Sequence, residues 1–71
     1  MHYGKVIRIL RISKSLSQHQ AAELFSITQQ AYSKIEKKEW ISSEKLEIIL
    51  NCLKISRKEF ELVIRLTSID K

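Results

Sequence analysis

The chain contains no proline and one glycine among its 71 residues. These two residues mark most tight turns and sheet edges, so their scarcity favours helices joined by short polar connections. No segment alternates between apolar and polar residues over the length of a strand. We therefore predict an all-α fold, and the length predicts a single domain that covers residues 1–71.

Residues that favour helix N-termini divide the chain into five predicted helices. Ser17 and Thr28 precede the second and third helices, Ser42 or Ser43 the fourth, and Ser56 the fifth. Ser17 and Ser56 each have a Gln or Glu three residues later, the pattern of a capping box. The first three predicted helices run from about Lys5 to Lys14, from Gln18 to Phe25 and from about Gln29 to Glu36. The fourth carries Leu46, Ile49, Leu50 and Leu53 on one stripe, and the fifth ends at about Ser68.

The first helix is amphipathic. Its periodicity points Arg8 and Arg11 away from a broad apolar face. That face consists of Val6, Ile7, Ile9 and Leu10.

The segment from Gln18 to Ile35 has the properties of two short helices that meet across a tight turn. Ala22 is small enough for close helix packing, and Ile27 is suited to plug the turn. The spacing of the second helix predicts that Ala31, Tyr32 and Ile35 face inward. Gln29, Gln30, Ser33 and Lys34 then face outward, and such a helix can enter the major groove of DNA with these side chains at base edges.

The excess positive charge lies in one half of the chain. Residues 1–38 carry seven basic and two acidic side chains, whereas residues 39–71 carry six of each. A one-sided basic surface is expected of a protein that binds a polyanion, although a solvated basic face has the same composition.

Several motifs in order resemble the Cro/C1-type helix-turn-helix family of phage repressors and bacterial regulators. The resemblance implies a compact five-helix, lambda-repressor-like domain, with the helix-turn-helix over residues 18–36. The segment Ile27 to Gln30 resembles the start of the recognition helix in lambdoid phage repressors. The motifs span roughly residues 4–60 and are GKVIRILR, LSQ, AAELF, SKIEK and the later pattern Leu46, Ile49, Leu53, Ile55.

The resemblance assigns roles residue by residue. It implies sequence-specific binding of double-stranded DNA by a transcriptional regulator, a repressor, through a recognition helix at residues 28–36. Arg11 and Glu36 match a partly buried salt bridge, and Trp40 either contacts DNA or covers the core. The residues implied to contact bases are Gln29, Gln30, Ser33 and Lys34, and those implied to contact phosphates are Gln18, Thr28, Lys37, Lys38 and Ser42.

The sequence departs from the family at four positions. Ser15, Ser26 and Lys54 stand where relatives commonly carry glycine, and Tyr32 stands where an aliphatic residue is usual. A left-handed backbone at a non-glycine residue costs about 1–2 kcal/mol, so these changes bear on stability and on helix angles.

The predicted fifth helix is apolar on two arcs. Phe60, Val63 and Ile64 can close the core, and a second arc would be exposed in a monomer. We predict a symmetric homodimer through residues 44–70, which would bind a near-palindromic operator. The predicted interface residues are Ile48, Cys52, Leu62, Leu66 and Ile69.

The sequence is also compatible with other functions. The second arc would also suit an antitoxin-type module that binds a partner protein and autoregulates through the same helix-turn-helix. His2 and His19 lie far apart with no catalytic or metal-binding cluster, so we expect no enzyme activity, metal or cofactor. The basic half has few aromatic residues for stacking on RNA, and its first helix fits a membrane surface only in part.

Cysteine use and hydropathy predict a compartment. The single Cys52 cannot form an intrachain disulfide, which favours a reducing cytoplasm and, with DNA as partner, the nucleoid. No apolar run approaches the ~20 residues of a membrane span. The N-terminal segment carries Lys5 and Arg8 and is interpreted as folded protein rather than a signal peptide.

Overall fold

A computed structural model describes residues 2–67, which form five α-helices and no strand. The fold is therefore all-α, as predicted. Helix α2 packs against α3 and α4, and α1 packs against α3 and α5. Within these residues, no helix has both the length and the apolar character needed to cross a bilayer. The helices are α1 (Tyr3–Ser13), α2 (Gln18–Phe25), α3 (Gln29–Glu36), α4 (Ser43–Leu53) and α5 (Arg57–Thr67).

Side-chain caps set the helix starts that the sequence predicts. The Ser17 hydroxyl accepts the Gln20 amide at 3.0 Å, and the Gln20 side chain accepts the Ser17 amide at 2.9 Å. The same reciprocal pair forms at Ser56, and Thr28 and Ser42 cap α3 and α4. Each of these caps satisfies an amide that the helix leaves unpaired.

Helix α1 begins two residues before its predicted start. His2 is its N-cap, with Nδ1 accepting the Lys5 amide at 3.1 Å. The amides of Tyr3 and Gly4 donate to the carbonyls of Glu39 and Lys38, at 3.0 and 2.8 Å. The start of α1 is thus fixed by contact with the segment that follows α3, which local sequence patterns do not describe.

Three connections share one left-handed geometry, and none of them uses glycine. Ser15, Ser26 and Lys54 have φ values of 61°, 57° and 58°. In each case an aliphatic residue follows, and its amide donates to the carbonyl five residues earlier. These bonds run from Leu16 to Arg11 at 3.2 Å, from Ile27 to Ala22 at 3.1 Å and from Ile55 to Leu50 at 2.9 Å.

The core corrects four expectations from the sequence. Arg11 is buried rather than pointing away from the apolar face, because a carboxylate on α3 compensates its charge. Ala31 is exposed, since Tyr32 takes the inward position of α3 and Ala31 lies one step around the helix. Ile27 is 38% exposed and Trp40 70% exposed, so Ile27 only partly plugs the turn and Trp40 does not cover the core. The buried apolar residues are Val6, Ile7, Leu10, Ala21, Ala22, Tyr32, Ile41, Leu46, Ile49, Leu50, Leu53, Ile55 and Phe60.

Candidate nucleic-acid interface

The outer face of α3 presents a continuous polar stripe. Gln30, Ser33, Lys34 and Lys37 are spaced i, i+3, i+4 and i+7, so they lie on one side of the helix axis. Gln29 is exposed beside this stripe at the first position of α3. Ser33 is half-buried, and the other members are exposed. The helix therefore offers amide, hydroxyl and ammonium groups without interruption by an apolar side chain.

A buried ion pair holds the inner side of α3 to α1. Arg11 Nε donates to Glu36 Oε2 at 2.6 Å, and Nη2 donates to Oε1 at 3.4 Å. Arg11 Nη1 also donates to the Leu16 carbonyl at 2.6 Å. This planar, two-point contact fixes direction as well as distance, because both partners are rigid groups. The last turn of α3 is consequently tied to α1 and to the loop before α2.

Glu36 is also held from α2. The Gln18 side-chain amide donates to Glu36 Oε1 at 3.0 Å. Burial alone would raise the pKa of the Glu36 carboxyl, but the hydrogen bonds from Arg11 and Gln18 outweigh burial and lower it. The carboxylate is therefore charged near neutral pH, and α1, α2 and α3 all contribute to one hydrogen-bonded cluster.

Tyr32 lies beside this cluster on the inner face of α3. Its ring packs against Phe25 with centroids 5.5 Å apart. Burial, followed by the neighbouring Glu36 carboxylate, raises the pKa of the Tyr32 hydroxyl above its ordinary value. Among the described residues, this hydroxyl is the buried side-chain group that makes no hydrogen bond. The ring therefore contributes packing, and the hydroxyl lies beside the Arg11–Glu36 pair.

The glycine at position 4 permits the close approach of α1 to the end of α3. A Cβ atom on Gly4 would lie 2.3 Å from the Glu36 carbonyl oxygen and 2.8 Å from the Lys38 carbonyl oxygen. Both distances are far below van der Waals contact. Glycine is thus needed here for space rather than for backbone conformation.

A polar pocket opens between α1, α2 and the polar stripe of α3. It is lined by Arg8, Arg11, Gln18, Ser33, Glu36 and Lys37. Three cations surround one carboxylate, so the pocket retains positive charge next to the N-terminus of α2. An anion is favoured at such a place because helix N-termini leave amide groups unpaired. Arg8 was absent from the predicted site; its spacing of three residues from Arg11 was the available signal.

The sequence model of the helix-turn-helix family matches residues 7–60, which include all of α2, α3 and α4. The chain belongs to the Cro/C1-type helix-turn-helix family. It is accordingly a DNA-binding helix-turn-helix regulator, and members of this family are not typically enzymes. No curated protein and no solved structure matches the chain.

In this Cro/C1-type protein, the residues implied to contact phosphates surround α3. Lys37 and Lys38 are exposed just after the helix, and Gln18 is half-buried at the start of α2. The hydroxyls of Thr28 and Ser42 accept backbone amides as caps. A hydroxyl that accepts one hydrogen bond still has its own proton to donate. Capping by Thr28 and Ser42 is therefore compatible with a phosphate contact.

The residues predicted for dimerisation differ in how far they are exposed. Leu62 and Leu66 are 54% and 58% exposed on the outer side of α5. Cys52 is half-buried on α4, and Ile69 lies outside the described residues. Ile48 is 59% exposed but lines a groove to which α5 contributes no residue. Leu62 and Leu66 thus form the exposed pair on α5.

Proposed function

We propose that this protein binds double-stranded DNA sequence-specifically as a transcriptional repressor, with α3 in the major groove. The observation that carries the proposal is the uninterrupted polar stripe on a helix whose inner face is fixed by the Arg11–Glu36 pair. A side chain can distinguish bases only if its backbone is held in a fixed position, and this pair supplies that constraint.

Base discrimination would come from the first two turns of α3. The Gln29 and Gln30 side chains can each make two hydrogen bonds to adenine, through N6 and N7. Lys34 can donate to the O6 and N7 acceptors of guanine, and Ser33 can donate or accept. All four lie within the first six residues of α3, the end that enters a major groove first.

Phosphate contacts would position the domain without regard to sequence. The loop residues Lys37 and Lys38 would follow one strand, and Arg8 would join Gln18 at the N-terminus of α2. These contacts release counterions, so they make affinity dependent on salt and nearly equal for all sequences. In the cell, this surface would keep the protein on chromosomal DNA in the nucleoid.

The test begins with selection of binding sites from random duplexes, followed by anisotropy measurements on a selected site and on random DNA. We expect Gln30→Ala to weaken binding to the selected site by about 1–3 kcal/mol and to change binding to random DNA little. Asn51→Ala, which removes an exposed amide on α4, is the matched control. Equal losses on both DNAs would contradict base contact by Gln30.

The phosphate role has its own measurement. We expect Lys38→Ala to weaken binding to both DNAs by the same factor. The magnitude of the slope of log K against log salt should fall by about 1. Lys58→Ala, an exposed lysine on α5, should leave the slope unchanged. A wild-type slope in the Lys38 variant would refute the phosphate contact.

We further propose that two copies pair through the outer face of α5, with Leu62 and Leu66 in the contact. Both side chains are exposed and lie four residues apart on one side of α5, and an exposed apolar stripe commonly marks an interface. We expect sedimentation to show a dimer that Leu66→Glu dissociates and that Ile12→Glu, an equally exposed position on α1, does not. A monomer at tens of micromolar would refute this contact.

A further inference from the structure

A second surface lies between the helix-turn-helix and α4, and we name it the Trp40 groove. Its volume is about 420 Å³, and its rim includes Ile27 from the α2–α3 turn, Trp40 from the α3–α4 loop and Ile48 from α4. These three side chains are 38%, 70% and 59% exposed. The groove is thus an open, largely apolar depression whose most prominent side chains are not covered by the rest of the protomer.

Charge in the Trp40 groove is one-sided. Lys38 and Lys45 line it together with the Ser42 hydroxyl. Among the described residues that form the groove, none is acidic. Both lysines are exposed in the free protein, so an occupant that covers them must bring negative charge to the edges of the groove as well as apolar side chains to its centre, because covering an ammonium group without an opposite charge is costly.

This requirement separates the possible occupants. A symmetric contact between two copies places the same patch against itself, which would gather the lysines of both copies without a carboxylate. Duplex DNA would satisfy the lysines, but its phosphates would gain nothing from Trp40, Ile27 and Ile48. An acidic amphipathic segment of another protein satisfies both parts of the surface, since its apolar face fills the groove and its acidic flanks meet the lysines.

We propose that the Trp40 groove is a docking site for an acidic, amphipathic helical segment of a partner protein. An exposed tryptophan beside aliphatic side chains is typical of the anchors that carry most of the energy in such contacts. The partner segment would present apolar residues at helical spacing along one face and Glu or Asp beside them.

Docking in the Trp40 groove would exclude DNA. Lys38 and Ser42 line the groove and also belong to the residues implied to contact phosphates. A partner that occupies them removes part of the phosphate-binding surface and places its own negative charge beside the DNA backbone. This regulatory consequence rests on the proposed DNA-binding function, whereas docking itself does not.

Binding is measured first without DNA. The probe is a synthetic 16-residue helical peptide with Leu and Phe on one face and Glu at the flanking positions. Trp40 is the only tryptophan in the chain, so its emission reports directly on the groove. We expect the peptide to shift that emission to shorter wavelength and to bind more weakly as salt rises.

Two comparison peptides define the chemistry. The first keeps the apolar face and replaces Glu by Lys, and the second keeps the composition of the acidic probe in scrambled order. We expect each to bind the protein at least about tenfold more weakly than the acidic probe, a difference of 1.4 kcal/mol. Equal binding of the Lys peptide would refute the role of charge, and equal binding of the scrambled peptide would refute the helical face.

Variants locate the site. With a labelled acidic peptide, we expect Ile48→Glu and Lys45→Glu each to weaken binding about tenfold or more. Both positions are exposed on α4, so these changes leave the core intact. Ile12→Glu is the matched control, because Ile12 is 54% exposed on α1 and does not line the groove. The proposal is overturned if only the Ile12→Glu control loses peptide binding, or if neither Ile48→Glu nor Lys45→Glu weakens it.

The last step adds a selected DNA duplex. We expect the peptide to release the duplex from the wild-type protein and not from the Ile48→Glu variant, which should still bind DNA. If neither protein binds any duplex while the peptide still docks, the proposed function fails and the docking site stands. If the peptide binds neither the wild-type protein nor the variant, the docking proposal is refuted. If Trp40→Ala then also weakens DNA binding, the groove belongs to the DNA surface.

Discussion

The contact of Gly4 with the end of α3 gives the sharpest prediction for this fold, and Gly4→Ala is the change that tests it. The added Cβ would lie 2.3 Å from the Glu36 carbonyl oxygen, where ordinary contact begins near 3.4 Å. The neighbouring atoms are backbone and cannot rotate away. The start of α1 must therefore retreat from the end of α3 by about 1 Å.

Two opposing terms decide the size of the effect. Overpacking costs about 1–3 kcal/mol, and weakening the hydrogen bonds from Tyr3 and Gly4 to the loop adds about 0.5–1.5 kcal/mol for each bond. The better helix propensity of alanine returns at most about 1 kcal/mol. The steric and hydrogen-bond terms together are larger, so we expect a net loss of about 3 kcal/mol. In a domain of this size, that lowers the melting temperature by roughly 12–24 °C.

Thermal and urea unfolding followed by circular dichroism measure this loss. Lys5→Ala is the control, because Lys5 is the next residue on the same helix and its side chain is exposed. We expect the control to stay within about 0.5 kcal/mol of wild type. An unchanged or higher melting temperature for Gly4→Ala would show that α1 does not pack against the end of α3 as described.

The remaining predictions concern the left-handed connections and the buried cluster. Ser26→Gly and Lys54→Gly should each raise the free energy of unfolding in urea by about 0.5–1 kcal/mol, because relief of the left-handed backbone exceeds the added entropy of the unfolded chain; a decrease at either site would contradict this account. Because the pKa of Glu36 is lowered on folding, its contribution to stability is complete above the unfolded pKa of about 4.3 and is lost as pH falls through the folded value. Glu36→Gln should therefore cost about 3 kcal/mol at pH 7, where it leaves Arg11 unpaired, and a deficit that did not shrink between pH 5 and pH 3 would refute the linkage. Tyr32→Phe should leave the melting temperature unchanged or higher, since the hydroxyl makes no hydrogen bond, and a loss above about 1 kcal/mol would reveal a bond at that hydroxyl.

Helix starts could be predicted from the sequence because capping is local chemistry. Ser17, Thr28 and Ser56 lie within three residues of the groups they satisfy, and the structure places helix starts at all three. The left-handed positions were accessible through the resemblance, since glycine is usual there in relatives. Ser15, Ser26 and Lys54 adopt that conformation without glycine.

Features that depend on distant partners could not be predicted from periodicity. Helical spacing pointed Arg11 away from the apolar face, yet Glu36, 25 residues later, makes its burial possible. The early start of α1 depends on carbonyls at Lys38 and Glu39. The exposure of Trp40 similarly follows from where its loop runs between α3 and α4, and nothing in the neighbouring residues specifies that path.

The orientation of α3 is a property of its surroundings rather than of its own eight residues. An isolated helix of that length is marginal in water, so packing must determine where its side chains point. The turn at Ser26 fixes one end, and Gly4 and Arg11 fix the other. A change at Gly4 or Arg11 can therefore alter DNA affinity without touching DNA. If such a variant is globally unfolded, its binding to selected and to random duplexes weakens together, and this loss of binding disappears on cooling. If only the direction of α3 has changed, binding to the selected duplex is weaker at every temperature.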